Sequence, residues 1–225
     1  MQSDKPIRYL DNIDIKEIFC PAKSANPISG HSQKSFKKGD YVYMPDEYAD
    51  RIFFLLAGKI KIGMYSGDGK EITKSILSTG DIFGELALVG QNIRRDFAIA
   101  VEDTKACVIT IDEMKALMRH HTQLNIFMIQ LIGNRLVKME KRLESLVFKD
   151  SRTRIVEFLH ELAKDRGQRV GYETLVRGFL THQEIANLTA TSRQTVTTVL
   201  NELRRGNIIT FDRRRLLIRD LEKLK

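Results

Sequence analysis

The pattern of apolar and polar positions divides the chain into three segments, and the first is typical of short β-strands. Over about residues 36–111, runs rich in β-branched and aromatic residues, such as "RIFFLLAGKIKIGMY" and "KEITKSIL", are separated by Gly or Asp-Gly pairs. Short strands with closely spaced turns predict a β-sandwich or β-barrel. The stretch "YSGDGKE" predicts a hairpin, because Gly accepts the positive φ of tight turns. Residues 8–19 predict a short amphipathic helix ahead of the strands.

The second segment, about residues 112–147, has the apolar spacing of one long helix. Its apolar residues follow one another at alternating steps of three and four, which is the a/d seam of a coiled coil. Two interpretations are open: the helix packs on its own domain, or it pairs with a second copy of the chain. The regularity of the seam and the charges beside it favour a homodimer. The seam consists of Ile129, Ile132, Leu136, Met139, Leu143 and Leu146.

The third segment begins where Lys149, Asp150 and Ser151 interrupt the seam, and we expect a hinge at this point. The sequence "SRTRIVEFLHELAKDRG" predicts a helix that Ser151 caps and Gly167 ends. Two shorter helices are predicted in "LTHQEIANLTATSRQTVTTVLNELRRGNII", residues 180–209. Thr181 and Glu184 fit a capping box on the first, and Ser192 can cap the second. The second helix has a buried stripe at helical spacing, formed by Val196, Val199, Leu200 and Leu203.

The opposite face of this second helix carries many hydrogen-bonding side chains and one acid, Glu202. A solvated helix more often mixes Lys with Glu, whereas Arg, Gln, Asn and Thr suit the base edges of the DNA major groove. By geometry, Arg193 would contact guanine and Gln194 would contact adenine. The predicted DNA-binding residues of this region are His182, Ser192, Arg193, Gln194, Thr195, Thr197, Thr198 and Asn201.

Downstream, "NIITFDRRRLLIRD" predicts a β-hairpin whose tip carries Arg213, Arg214 and Arg215. A basic hairpin after a helix-turn-helix is typical of a winged helix, whose wing is placed to touch phosphates. The formal net charge is +8, and after residue 148 there are 16 Lys and Arg against 10 Asp and Glu. This surplus favours a polyanionic partner, so we expect double-stranded DNA.

Several other classes of protein are disfavoured. Cys20 and Cys107 cannot form a disulfide framework or a four-thiolate iron–sulfur site, and we expect Cys107 in the core. His120 and His121 would point about 100° apart on a helix, which makes a poor metal chelate. We find no nucleophile–base signature, metal-ligand spacing or P-loop, and therefore expect neither an enzyme nor a metal site. Without a signal peptide or a membrane-spanning apolar run, we expect a cytoplasmic protein with no membrane partner.

The stretch "GDIFGELALVGQNIRRDFAIAVED", residues 80–103, is a second candidate site. Gly84 breaks a strand, and the residues after it can open a helical turn whose free N–H groups attract an anion. Arg94 or Arg95 could close on that anion. These residues resemble the phosphate-binding cassette of the cyclic-nucleotide-binding domain. With the long helix and the winged helix, the chain is similar to the cyclic-AMP receptor protein and fumarate–nitrate regulator (CRP/FNR) family of bacterial transcription factors.

The resemblance implies an α+β fold in three parts. These are an N-terminal β-roll (a double-stranded β-helix, like the cyclic-nucleotide-binding domain) over 1–111, a dimerisation helix over 112–148 and a winged helix-turn-helix over 149–225. It implies a homodimeric, sequence-specific transcription regulator that binds a roughly palindromic operator and contacts RNA polymerase. The alternative is a constitutive DNA-binding regulator whose β-roll serves only dimerisation. An enzyme with an appended DNA-binding domain is disfavoured.

The effector site that the resemblance implies has both matches and departures. Glu85 matches the family's ribose-binding Glu, and Arg95 aligns with its phosphate-binding Arg. Asp96 stands where cyclic-AMP binders have a hydroxyl residue, and a carboxylate there would repel a phosphodiester. Met139 and Glu140 stand where those binders offer hydroxyls to adenine. The candidate effector residues are Gly84, Glu85, Leu86, Arg94, Arg95 and Met139.

These departures leave the effector open between a cyclic nucleotide, a different anionic or small polar molecule, and no small ligand. The iron–sulfur cluster of the fumarate–nitrate branch is excluded, because Cys20 is the only cysteine near the N-terminus. In the recognition helix, Arg193, Gln194 and Thr198 fall where the family meets base edges. The family commonly has Glu and, one turn later, Arg where this chain has Gln194 and Thr198. The preferred half-site should therefore differ from the usual one.

Overall fold

The computed structural model describes residues 32–67, 69 and 71–224, so Cys20 and the helix predicted over 8–19 lie outside the described residues. The chain divides between Gly133 and Asn134 into two compact units. The division falls inside a helix, so the end of the N-terminal unit and the start of the C-terminal unit share one secondary-structure element.

The N-terminal unit contains two antiparallel sheets of four strands each among the described residues. One sheet has the strand order β1-β8-β3-β6 and the other β2-β7-β4-β5, when the strands are numbered along the chain. This arrangement confirms the predicted β-roll. The strands are β1 (Ser32–Phe36), β2 (Tyr41–Tyr43), β3 (Arg51–Ala57), β4 (Lys59–Tyr65), β5 (Glu71–Ser78), β6 (Ile82–Phe83), β7 (Phe97–Ala100) and β8 (Thr104–Thr110).

Two helices follow the strands, α1 (Ile111–His120) and α2 (Thr122–Phe148). The prediction of one uninterrupted helix was wrong, because the backbone leaves the helical region at His121, with φ −129° and ψ 89°. The side-chain amide of Asn125 donates to the carbonyl of Met118 at 3.0 Å, which satisfies a carbonyl that a continuous helix would have bound through its backbone. A new helix therefore starts at residue 122.

The apolar run of β3 is buried on both faces because its side chains alternate between two cores. Phe53 and Leu55 pack between the two sheets. Ile52 and Phe54 face the opposite side, where α1 and the first turns of α2 cover the sheet. The residues that these helices bury against the sheet are Ile111, Met114, Leu124, Phe127 and Met128, and Cys107 lies in the same core as expected.

The predicted seam on α2 is largely exposed. Its side chains are between 41% and 71% exposed, except that of Ile132, which is half-buried. The seam therefore lies outside the described cores, and the interpretation that it packs on its own domain is not supported. The exposed members are Ile129, Leu136, Met139, Leu143 and Leu146.

The C-terminal unit contains the predicted helix-turn-helix and wing. Its sheet has the order β11-β12-β10-β9, so the wing is extended by a hairpin, β9 and β10, that the sequence pattern did not reveal. The elements are α3 (Ser151–Arg166), β9 (Gly167–Val170), β10 (Glu173–Arg177), α4 (His182–Thr189), α5 (Arg193–Arg205), β11 (Ile209–Phe211) and β12 (Arg215–Ile218).

The start of α3 differs by one residue from the prediction. Asp150, rather than Ser151, is the N-cap, and its carboxylate accepts the N–H of Thr153 at 2.7 Å. Both residues can cap, and the ionised oxygen of Asp gives the stronger, charge-assisted bond. Hydrogen bonds to the backbone, the largest of them from Thr153, lower the pKa of Asp150. Gly167 ends the helix as predicted.

Candidate nucleic-acid interface and effector site

The turn between α4 and α5 is fixed by local hydrogen bonds. Thr181 accepts the N–H of Glu184 at 3.2 Å, and the Glu184 carboxylate accepts the N–H of Thr181 at 2.7 Å, which confirms the capping box. Ala190 ends α4 in the left-handed region, with φ 50°. Ser192 caps α5 by accepting the N–H of Thr195 at 3.0 Å. The orientation of α5 is therefore set by side chains that the sequence pattern identified.

One face of α5 is buried and the other is open to solvent. The buried stripe is Val196, Val199, Leu200 and Leu203, as predicted. Of the polar residues, Thr195, Thr197 and Asn201 are half-buried, whereas Arg193, Gln194, Thr198, Arg204 and Arg205 are exposed. The acid of this helix, Glu202, lies 3.5 Å from Arg152 of α3, so its charge is partly neutralised.

Two of the predicted threonines use their hydroxyls inside the unit. The Thr195 hydroxyl contacts that of Ser192 at 2.8 Å. The Thr197 hydroxyl lies 2.9 Å from the carbonyl oxygen of Arg193 and 2.9 Å from Nδ1 of His182. Thr197 thereby connects α5 to the first residue of α4, a contact that no sequence spacing indicated.

His182 is half-buried between α5 and the wing. Its imidazole meets the ring of Phe211 edge-on, with 5.8 Å between centroids. Burial lowers the pKa of His182 below its ordinary value of 6.5, and the positive charge of Arg193 lowers it further. Both effects favour the neutral imidazole over the charged one in the protein without DNA.

The tip of the wing is held by Asp212. Its carboxylate accepts the backbone N–H groups of Arg214 at 2.7 Å and Arg215 at 2.8 Å, which fixes the turn between β11 and β12. The side chains of Arg213, Arg214 and Arg215 are exposed. The tip therefore presents three cations on an ordered turn.

In the N-terminal unit, Gly84 and Arg94 form a packed element of the cassette. Gly84 has φ 80°, and a Cβ there would lie 2.9 Å from the carbonyl oxygen of Arg51. The Arg94 guanidinium donates to the carbonyls of Gly84, at 3.1 Å, and Arg51, and lies 4.4 Å from the ring centroid of Tyr43. Arg94 is only 5% exposed, so its two terminal nitrogens serve the fold of the cassette, whereas its buried Nε has no hydrogen-bond partner among the described residues.

The neighbouring residues are arranged differently. Arg95 is exposed and forms no ion pair with any residue in the described ranges. The carboxylate of Asp96 lies 2.7 Å from the ammonium of Lys74, so its charge is compensated. Glu85 is buried at 3% exposure, and Leu86 is exposed on the 3₁₀ turn Glu85–Val89. Met139, the remaining candidate, is exposed on α2 within the C-terminal unit.

Comparison with known proteins agrees with this geometry. Residues 33–121 match the cyclic nucleotide-binding domain model, and residues 153–225 match the Crp-like helix-turn-helix domain model. The global nitrogen regulator of Synechocystis sp. is 30% identical over 187 residues, which cover 82% of this chain and 83% of that protein. The chain belongs to the CRP/FNR family of transcription regulators. As such, it is a DNA-binding transcription regulator with a ligand-sensing domain.

Two further relatives show that the CRP/FNR likeness extends along the chain. The CRP-like cAMP-activated global transcriptional regulator of Mycobacterium tuberculosis is 29% identical over 189 residues, covering 84% of each protein. The structure of a CooA mutant from Carboxydothermus hydrogenoformans superposes with a TM-score of 0.80 at 27% identity, covering 96% of each chain.

In this CRP/FNR regulator, two arginines hold the end of α4. Arg154 of α3 donates to the carbonyls of Thr189 at 2.9 Å and Ala190 at 3.0 Å, and also to that of Lys149 at 2.8 Å in the hinge. Arg142 of α2 is half-buried, and this burial lowers the pKa of the guanidinium. The last carbonyls of a helix lack partners of their own. Arg142 donates to the next two carbonyls toward the N-terminus, those of Asn187 and Leu188.

No helix within residues 32–67, 69 and 71–224 is long and apolar enough to cross a membrane. The same residues contain no cluster of three or more His, Cys, Asp or Glu side chains that could hold a metal ion.

Proposed function

We propose that two copies of the chain together read a roughly palindromic operator, with one α5 in each of two successive major grooves. The observation that carries this proposal is the solvent-facing side of α5, where exposed Arg193, Gln194 and Thr198 lie together and the one acid is bridged to Arg152. Arg193 binds guanine and Gln194 binds adenine, because their side chains match those acceptor and donor patterns. Thr198 meets a thymine methyl or a phosphate.

The remaining contacts are to the DNA backbone. Arg213, Arg214 and Arg215 on the wing bind phosphates, and the ordered turn at Asp212 supports this assignment. Ser192, Thr195 and His182 lie at the starts of α5 and α4 and contribute phosphate contacts. Asn201 stands further along the exposed side of α5 and adds a contact at the groove edge.

The homodimer forms through α2. The exposed seam from Ile129 to Leu146 supports this proposal, because a stripe of large apolar side chains in water is stabilised when a second copy covers it. Two-fold symmetry then places the half-sites about 34 Å apart. The proposed parts are the sensor over 1–111, the dimerisation helix over 112–148 and the DNA-binding domain over 149–225.

The sensor binds a small anionic effector at the cassette, with Arg95 as its cation and Gly84, Glu85 and Leu86 around it; Met139 of α2 stays an effector candidate from the family resemblance alone. The exposure of Arg95 supports this choice over Arg94, whose two terminal nitrogens already bind carbonyls. The Mycobacterium tuberculosis relative is named as cAMP-activated, but Asp96 and Met139 depart from the residues expected for cyclic AMP. A constitutive regulator without an effector is the alternative, and the structural use of Arg94 favours it.

Coupling runs through the hinge at 149–151. Arg142 of α2 binds the end of α4, and Arg154 binds both α4 and the hinge, so a change in α2 is transmitted to the recognition surface. The mechanism is a population shift between two arrangements of the long helices. A nearly complete switch requires an effector preference of about 5.5 kcal/mol. The regulator contacts RNA polymerase, acts in the cytoplasm and carries no catalytic activity of its own.

The proposal is tested by selecting binding sites from a random duplex library and measuring affinity for the selected operator. Palindromic half-sites about 10 base pairs apart are expected. Their absence would contradict the proposal that the protein binds its operator as a dimer. Native mass spectrometry of the freshly purified protein then looks for a retained small molecule. The affinity for the operator is then measured at increasing concentrations of each candidate effector, for wild type and for Arg95→Ala. If the protein is a sensor, an effector changes the affinity of wild type but not that of the variant.

A further inference from the structure

The hydrogen bonds around Thr197 determine which nitrogen of His182 carries a hydrogen. A carbonyl oxygen can only accept, so the 2.9 Å contact to Arg193 is a hydrogen bond only when the Thr197 hydroxyl donates to it. The same hydroxyl has no second hydrogen to give to His182. The 2.9 Å contact to Nδ1 is then a hydrogen bond only when Nδ1–H donates to Thr197. Both contacts are satisfied by this assignment alone.

The other ring nitrogen, Nε2, is therefore bare in the neutral imidazole. It reaches solvent and has no hydrogen-bond partner among the residues that the structure describes. A bare nitrogen accepts hydrogen bonds and repels a phosphate oxygen, whereas a protonated Nε2 donates to one. As long as Nδ1–H donates to Thr197, His182 can contact a DNA phosphate favourably only in its charged form.

Burial of His182, and then the charged groups around it, disfavour this form without DNA. On α5 the imidazole faces Arg193, a cation, and on β11 it faces the ring of Phe211, over which Arg204 lies at 5.3 Å. On its own helix, the nearest acid in sequence, Glu184, is engaged by Thr181 in the capping box. The surroundings thus supply positive charge, and a DNA phosphate would bring the compensating negative charge.

We propose that His182 takes up a proton when the regulator binds DNA, and that Thr197 is a positioning residue which holds Nδ1 so that Nε2–H meets a phosphate. This inference rests on the proposed DNA-binding mode, and it removes Thr197 from the residues that read bases. The pKa of His182 lies below 6.5 in the free protein, and a phosphate at Nε2 raises it in the complex. DNA affinity is therefore highest at low pH and falls as pH rises between these two pKa values.

The experiment measures the dissociation constant for the selected operator from about pH 5.5 to 8 at constant salt, within the range in which histidine titrates. In wild type it rises by up to about tenfold per pH unit inside the window, as expected for one proton taken up. His182→Gln cannot titrate and loses this dependence. His120→Gln, at an exposed histidine of α1, is the matched control and keeps it.

Thr197 is tested with a pair of variants of similar size. Thr197→Ser keeps the hydroxyl and retains both affinity and pH dependence, whereas Thr197→Val weakens binding and flattens the pH profile. The variant that combines His182→Gln with Thr197→Val loses no more affinity than His182→Gln alone, because the two residues act as one unit. Additive losses, or a change in preferred base with Thr197→Val, would overturn the positioning role.

Imidazole NMR provides a direct readout of both the tautomer and the pKa. The hydrogen on Nδ1 and an increase in the pKa of His182 on adding operator are expected. Specific binding with an unchanged pH profile in His182→Gln would overturn this inference and leave the proposed function standing. Absence of specific DNA binding at every pH would instead overturn the proposed function and this inference with it.

Discussion

The cassette and the recognition surface both carry arginines, but the two regions use them in opposite ways. In the cassette, Arg94 is buried and binds the carbonyls of Gly84 and Arg51, so a cation stabilises the fold. At the start of α5 and the tip of the wing, the groups that bind the backbone are the Ser192 hydroxyl and the Asp212 carboxylate. Arg193 and the arginines of the wing tip remain exposed there, whereas Arg142 and Arg154 bind the end of α4. In this chain, the arginines that stay exposed at α5 and the wing tip adjoin backbone groups that other side chains already bind.

The two regions should first differ in how they respond to loss of the dimer. Leu136→Glu with Leu143→Glu places two charges on the exposed seam, and we expect monomers with the largest loss of operator affinity among these variants, because two linked recognition surfaces bind far more tightly than one. The folding of the cassette should be unaffected. Sedimentation and DNA titration measure the two effects. Lys141→Glu, which changes the charge of an exposed residue on the same helix, is the control. Dimers in the double variant would contradict the assignment of the seam as the dimer interface.

A large effect on stability is expected from Arg94→Ala. It leaves two carbonyls without their partner and removes the contact with Tyr43, which should lower the free energy of unfolding by about 2–4 kcal/mol. Arg95→Ala, at the exposed neighbour, should change it by less than about 0.5 kcal/mol. Denaturant unfolding followed by circular dichroism compares the two. Equal losses of unfolding free energy would mean that buried Arg94 stabilises the cassette no more than exposed Arg95 does.

The smallest effect is expected at the wing. Asp212→Ala removes the acceptor of two backbone N–H groups, so the turn that carries the three arginines loses its fixed shape. We expect affinity to fall by about 1 kcal/mol on operator and on random DNA alike, because phosphate contacts carry no sequence information. Fluorescence anisotropy on both duplexes measures this. A loss confined to the operator would show that the wing takes part in base recognition.

The elements that were predicted correctly depend on local interactions. The capping box at Thr181 and the buried stripe of α5 each follow from residues within one or two turns of helix. The exceptions involve competition between neighbours or contacts across the fold. Asn125 captures the Met118 carbonyl and divides the long helix, and Asp150 caps α3 although Ser151 also could. No spacing rule distinguishes these outcomes before the backbone is known.

The candidate sites show the same limit. Residue type and spacing do not distinguish Arg94 from Arg95, although the family resemblance favours Arg95 as the anion-binding residue. The pairing of residues 46–49 with 92–94 turns Arg94 inward. Thr197 belongs to the helical face that was assigned to DNA, but its hydroxyl is bound by His182, fifteen residues away. The type of surface could be predicted from residue composition, whereas the role of each side chain depended on non-local partners.

The most direct test of the account is the effect of Arg193→Ala on base recognition. Removing a bidentate contact to guanine should weaken operator binding by about 1–3 kcal/mol and relax the preference at one base pair of each half-site. Competition titrations with the operator, with single-base variants and with random duplex measure this. The account predicts a large loss on the operator and a much smaller one on random DNA. An equal loss on both, with all base preferences retained, would contradict it.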